Sequence, residues 1–258
     1  MNAGTDIKHW LFLRGLSREQ AHWGEFINRC ESELGWYCHA IDLPGFGSEH
    51  LRRSPLTISE IRRDIQQRLP SELANDNSTF GIVALSLGGM VALDWLTTSP
   101  NNIAKVIFIS TSSADCGFFK RLKPSALPAT LYALFALSPR KQERAILNMV
   151  SNNKSSHAAL LEQWCQIRAR HPASKRNVIR QLIAASRFYS PSKERLANSR
   201  GHFISSRADR MVSYQCSEYL AEKYHWPLWL HNTAGHDLPI DDADYLLANF
   251  KEIASCAE

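Results

Sequence analysis

The sequence contains no apolar run approaching the roughly 20 residues that cross a bilayer. Its start, Met1-Asn2-Ala3-Gly4-Thr5-Asp6, lacks the basic residues, apolar stretch and small-residue cleavage site of a secretory leader. These absences set the expectation of a soluble, cytoplasmic protein with no membrane span. Cys30, Cys38, Cys116, Cys165, Cys216 and Cys256 lie scattered, with no C-x-x-C pair and no zinc spacing, and they read as free thiols. Internal repeats, low-complexity tracts and linkers are also missing, so neither a solenoid nor tethered independent domains are expected. Acids are scarce in one place. Between Ser112 and Ser190 thirteen Lys and Arg face only Asp115, Glu143 and Glu162, a formal charge of +10 in a chain whose total is +5. No basic-aromatic stripe or known reading motif accompanies that charge, which argues against a nucleic-acid partner.

What is present suits one large folded unit. A chain of 258 residues with 44% hydrophobic and 21% charged content buries a core without help from metals or disulfides. Short apolar, β-branched or aromatic runs recur with helical segments between them: Trp10 to Leu13, Trp36 to Ile41, Phe80 to Leu85, Lys105 to Ile109, Phe203 to Ser206 and Leu228 to Leu230. Buried strands alternating with helices predict an α/β fold whose sheet is mostly parallel, of about six strands, and covered by helices on both faces. The alternation stops between residues 112 and 190, where the pattern is helical and is cut by Pro124, Pro128, Pro139 and Pro172. The expected organisation is a core formed by residues 1–111 and 191–258, with residues 112–190 inserted as a helical cap, or lid, over the strand ends.

In open parallel sheets the reactive groups gather beyond the carboxyl ends of the strands. Four motifs sit at such ends. The strand Gly81 to Leu85 runs into Ser86, followed by Leu87-Gly88-Gly89 and a helical stretch. A strand–serine–helix turn is so tight that the positions two before and two after the serine must be small, and Ala84 and Gly88 occupy them. The helix start aims backbone N–H groups and its positive dipole end at the serine, where an oxyanion would form. Over this segment alone, a serine that merely caps a helix would read the same way.

A serine hydroxyl needs a base, and ten histidines compete for that part. His236 alone stands in a turn after a late strand, between Gly235 and Asp237-Leu238-Pro239. The carboxylate that would orient it is Asp209, after the penultimate strand, with Asp115 as the reserve candidate and a solvated loop aspartate as the structural alternative. The order serine, acid, histidine separates this arrangement from the chymotrypsin and subtilisin folds. Oxyanion donors are assigned by position to the backbone N–H of Leu87 and of Leu16, the latter in the Arg14-Gly15-Leu16 loop after the first strand.

Taken with the loop Asp42-Leu43-Pro44-Gly45-Phe46-Gly47, these motifs make the chain resemble the α/β-hydrolase superfamily. Within it, the chain resembles the small capped carboxylesterases that include the pimeloyl-acyl-carrier-protein methyl ester esterases. The likeness covers residues 9 to 111 and 200 to 250. Three features depart from the pattern: Arg14-Gly15 stands where His-Gly is usual, Ala84 replaces the first glycine of the serine motif, and the two antiparallel strands that commonly open the fold have no counterpart. The resemblance implies an α/β-hydrolase fold and a serine hydrolase, with Ser86, Asp209 and His236 as the triad. It implies an acyl-enzyme route for a small-molecule carboxylic ester or thioester, with no metal or organic cofactor. C–C bond hydrolysis or acyl transfer on the same triad, and a non-catalytic binding role, are the competing readings. Arg14 is a candidate for meeting a substrate carboxylate. The basic insertion either steers an anionic or carrier-bound substrate, such as an acyl carrier protein or coenzyme A ester, or simply lines solvated helix faces.

Overall fold

The computed structural model describes residues 7–75, 79–98 and 102–255; the stretch Met1 to Asp6 and Cys256 lie outside them. The six apolar runs form β1 (His9–Leu13), β2 (Tyr37–Ala40), β3 (Phe80–Leu85), β4 (Ile103–Ile109), β5 (Gly201–Ser206) and β6 (Leu228–His231). They join in one sheet of order β2-β1-β3-β4-β5-β6, and every neighbouring pair is parallel. Side chains alternate across a strand, so each strand feeds two cores. Trp10 and Phe12 point to one face with Val83, Leu85, Ile107 and Ile109. Leu11 and Leu13 point to the other with Ile82, Ala84, Val106 and Phe108.

Helices α1 (Phe26–Leu34) and α12 (Ala243–Ser255), the latter preceded by the short α11 (Leu238–Asp241), cover the first face, where Phe26, Cys30, Leu246 and Phe250 are buried. The second face is covered by α2 (Ile58–Gln67), α4 (Leu87–Leu96) and α10 (Tyr214–Tyr224), with the short α3 (Ser71–Ala74) contributing Leu73. Helix α4 is apolar on nearly all sides because it is enclosed: only Asp94 of its ten residues escapes burial. Asp94 in turn accepts hydrogen bonds from Arg62 Nε and Ser59 Oγ of α2.

Between β4 and β5 the described residues form no strand. They make α5 (Phe118–Arg121), α6 (Leu127–Phe135), α7 (Pro139–Val150), α8 (His157–Arg170) and α9 (Lys175–Ser186). Leu147, Val150, Leu161 and Trp164 give this insertion a small core of its own, against which Met211 and Ile240 of the sheet's loops pack. The chain moves from β1 outward to β2 and then returns to β3 on the other side of β1. That reversal opens a crevice at the strand ends between the loops after β1 and β3.

Close approach across this crevice depends on glycine. A Cβ at Gly88 would lie 2.5 Å from the carbonyl oxygen of Leu13, and one at Gly15 would lie 3.1 Å from the Ser86 Cβ. Gly88→Ala is therefore expected to lower stability by about 1–3 kcal/mol through overpacking, measured as a fall in the urea midpoint at unchanged slope.

Candidate active site

Three loops converge at the crevice. The first follows β3. There Ser86 adopts φ 56°, ψ −113°, a conformation that costs a non-glycine residue of order 1–3 kcal/mol. Its backbone is held from both sides: Ser86 N–H donates to the Ile109 carbonyl at 2.8 Å, and the Ser86 carbonyl accepts from Thr111 Oγ1 at 2.8 Å and Gly89 N–H at 3.0 Å. The turn lifts the serine side chain into a cavity of about 140 Å³ that His236, Leu16 and Gly15 also line. Leu87 opens α4, where the first N–H groups have no partner within the helix.

The second loop follows β5 and carries Asp209, which is 1% exposed. Oδ1 accepts from the backbone N–H of Met211 at 2.8 Å and of Val212 at 2.9 Å. Oδ2 faces Nδ1 of His236 at 2.7 Å. The third loop, after β6, presents His236. Its other nitrogen, Nε2, is buried without a hydrogen-bond partner among the described residues, and no hydrogen bond joins it to the Ser86 hydroxyl with which it shares the cavity. Burial disfavours the imidazolium, but the Asp209 charge, its hydrogen bond and the adjacent Asp237 together outweigh that penalty. The His236 pKa therefore lies above the ordinary histidine value, while Arg14 pulls it down.

The structure thus brings Ser86, Asp209, His236 and the Leu16 loop together. Asp115 lies elsewhere, tied to Ser190, Lys223 and Tyr219; burial raises its pKa, but hydrogen bonds from Ser113, Ser190 and Lys223 outweigh that and hold its carboxyl well below the usual range. The Arg14 guanidinium is engaged through its two terminal nitrogens, while its Nε is buried without a partner among the described residues. It meets both oxygens of Asp237, at 3.1 and 2.5 Å, and lies over the Trp23 ring at 4.7 Å. This buried pair joins the residue before Gly15 to the residue after His236, so it ties the β1 loop to the histidine loop.

Some cavity residues escaped the sequence reading. Glu143 of α7 accepts from Arg18 at 2.7 Å and from Arg168 of α8 at 2.8 Å, and those two cations hold its pKa low against burial. Arg18 also lies over Trp164 and touches His22. Burial and then the nearby Arg18 and Arg14 keep His22 well below the ordinary histidine value. Across the rim, Glu19 pairs with His171 at 2.9 Å. The only sequence signal was the dense polar stretch Arg14 to His22 after a buried strand. The partners of Arg18 and Glu19, Glu143 and His171, lie more than a hundred residues away, in the insertion.

The insertion also braces the two loops beside it. Val150 accepts the Asp237 N–H at 2.9 Å, and Asn152 Nδ2 donates to the carbonyls of Ala208 and Thr233 at 3.1 and 2.9 Å. Among the described residues no group of three His, Cys, Asp or Glu side chains is placed to hold a metal ion, and no helix is long and apolar enough to cross a membrane.

The parallel six-stranded sheet, the strained serine after β3 and the carboxylate–imidazole pair from the last two strand ends are the marks of one class. The sequence profile of the alpha/beta hydrolase family matches residues 10–249, and the chain belongs to that family. Solved structures with the same fold include a lipase-esterase related protein from Clostridium acetobutylicum, with a TM-score of 0.73 at 17% identity, covering 97% of this chain and 96% of that one. The esterase RhEst1 from Rhodococcus sp. gives 0.74 at 15%, covering 98% and 92%. A 2-hydroxy-6-oxo-6-phenylhexa-2,4-dienoate hydrolase from Rhodococcus sp. gives 0.73 at 18%, covering 95% and 90%. Among curated proteins none matches the sequence.

The Arg14–Asp237 pair offers a test of the electrostatics around His236. Asp237→Asn leaves Arg14 facing the imidazole and is expected to lower the His236 pKa. Arg14→Gln leaves Asp237 unneutralised and is expected to raise it. NMR titration of the His236 ring reads both, and shifts of the same sign would refute the account.

Proposed function

We propose that the protein is a serine hydrolase that cleaves a small carboxylic ester or thioester through an acyl-enzyme, with residues 112–190 acting as the cap over its site. The observation that carries this reading is the buried Asp209–His236 contact at 2.7 Å beside a serine held at positive φ in the same cavity.

In this reading Asp209 fixes the tautomer of His236, with the proton on Nδ1 and the lone pair on Nε2. His236 Nε2 takes the proton of Ser86 as its Oγ attacks the carbonyl carbon. The N–H groups of Leu16 and Leu87 hold the oxyanion, each worth about 3 kcal/mol of transition-state stabilisation. His236 then gives the proton to the departing alcohol or thiol, and a water deprotonated by the same nitrogen releases the acid and frees Ser86. Arg14 acts through Asp237 by fixing the oxyanion loop against the histidine loop. The neighbours named as esterases support this reading as proteins of the same fold.

A fluorophosphonate probe is expected to label one residue, Ser86. Labelling should vanish in Ser86→Ala, and hydrolysis should fall by about 10⁴-fold or more. Product analysis with added alcohols and amines separates hydrolysis from acyl transfer. Absence of both labelling and turnover over a broad ester panel would overturn the proposal.

His236 must be neutral to act as the base, and its pKa is raised. The acid limb of kcat/KM is therefore expected above the ordinary histidine value of about 6.5, with activity gained as pH rises through it. A limb below that value would contradict the assigned base.

A further inference from the structure

Helix α6 reads Leu127-Pro128-Ala129-Thr130-Leu131-Tyr132-Ala133-Leu134-Phe135, and none of its residues is buried. It carries no charge, yet it has two apolar sides. Thr130, Ala133 and Leu134 line the cavity that holds Ser86. Leu131, Tyr132 and Phe135 face outward, 54%, 50% and 67% exposed, and Leu137 just beyond the helix is 96% exposed. A helix that is apolar all round is normally enclosed, and contiguous exposed apolar surface marks a contact with a partner or a membrane.

Charge says which. Tyr132 and Ala129 share a surface cleft with Lys141 and Arg144 of α7 and with Arg210. Lys141 and Arg144 are exposed and make no ion pair among the described residues. All three acids of the insertion are already engaged: Glu143 by Arg18 and Arg168, Glu162 by Arg140, and Asp115 by Lys223. The field around the outer face of α6 is therefore positive and unopposed. A second copy of this chain placed symmetrically over the face would set these same cations against each other. An anionic lipid surface accepts both features, since apolar side chains enter the boundary between headgroups and acyl chains while Lys and Arg meet the phosphates.

We propose that the outer face of α6, with Lys141 and Arg144 at its edge, docks on a bilayer carrying anionic lipids. Docking sets the roof of the Ser86 cavity against the membrane. This deepens the hydrolase reading and, for substrate, rests on it: the ester supplied there is that of a membrane amphiphile, passed from the lipid surface beneath α6.

Co-sedimentation with vesicles of phosphatidylcholine, alone or mixed with phosphatidylglycerol, tests the docking without any catalytic readout. The protein is expected to pellet with the mixed vesicles and to be released by salt. A basic residue beside an anionic surface is worth about fivefold in partitioning, so Lys141→Glu/Arg144→Glu is expected to weaken binding by roughly 25-fold or more. Leu131→Ser/Phe135→Ser should weaken it by roughly tenfold, as both apolar anchors are lost. Circular dichroism establishes that these variants are folded. Ser86→Ala is expected to bind as the unaltered protein does, so failure of the hydrolase reading leaves the docking result intact, and the converse also holds. The docking proposal is overturned if the unaltered protein does not pellet with the mixed vesicles, or if both double variants pellet equally well. It is also overturned if light scattering shows a dimer that these substitutions dissolve, with no vesicle binding.

Discussion

A carboxylate removed from water is tolerable only where each of its oxygens is answered. Asp209 meets that condition with two backbone amides on one oxygen and the His236 imidazole on the other. The amides belong to the same tight turn, so the acid is held locally as well as by the histidine. The imidazole then completes the set and is itself fixed. Serine, cavity and the Arg14–Leu16 loop all gather around the ring so oriented. A second buried carboxylate, Asp237, is answered by Arg14. The histidine thus stands between two acids, one bonded to it directly and one neutralised from the opposite side of the crevice.

Much of this arrangement was legible in the sequence because it is written locally. Each strand is a short apolar run, and each functional loop begins where a run ends. Ser86 is flagged by the small residues at 84 and 88, and the structure gives the reason: the Leu13 carbonyl fills the space beside Gly88. The serine–acid–histidine order follows from chain position alone. Other features were hidden because they are written in pairs. Nothing near Arg14 reveals that Asp237 takes its charge, since the two are joined only when β1 and the loop after β6 are brought together. Arg18, Glu143 and Arg168 come from three separate elements. The tally of charges between residues 112 and 190 was likewise silent on direction. Arg168 turns inward to Glu143, whereas Lys141 and Arg144 stay outside.

The insertion therefore has two electrostatic characters. Toward the cavity Arg168, with Arg18 beside it, is paired on Glu143, and His171 meets Glu19, while the exposed Lys175 also lines the cavity. Ala133, Leu134 and Ile146 give the same cavity an apolar stretch of wall. Toward solvent the basic groups are largely unopposed. The cavity-lining and the outward basic groups thus fall on opposite sides of the same helices.

The bracing of the strand-end loops by Val150 and Asn152 limits how such a protein can diversify. Transplanting a relative's insertion onto this sheet would replace Val150, whose carbonyl receives the Asp237 amide, and would keep that bond only if the new backbone followed the same path. It would also remove the side chain that clasps the stretches before Asp209 and His236. The segment that roofs the cavity and the loops that carry Asp209 and His236 are thus held as one unit, and chimaeras that divide them would lose the register between cavity and imidazole even with every strand intact.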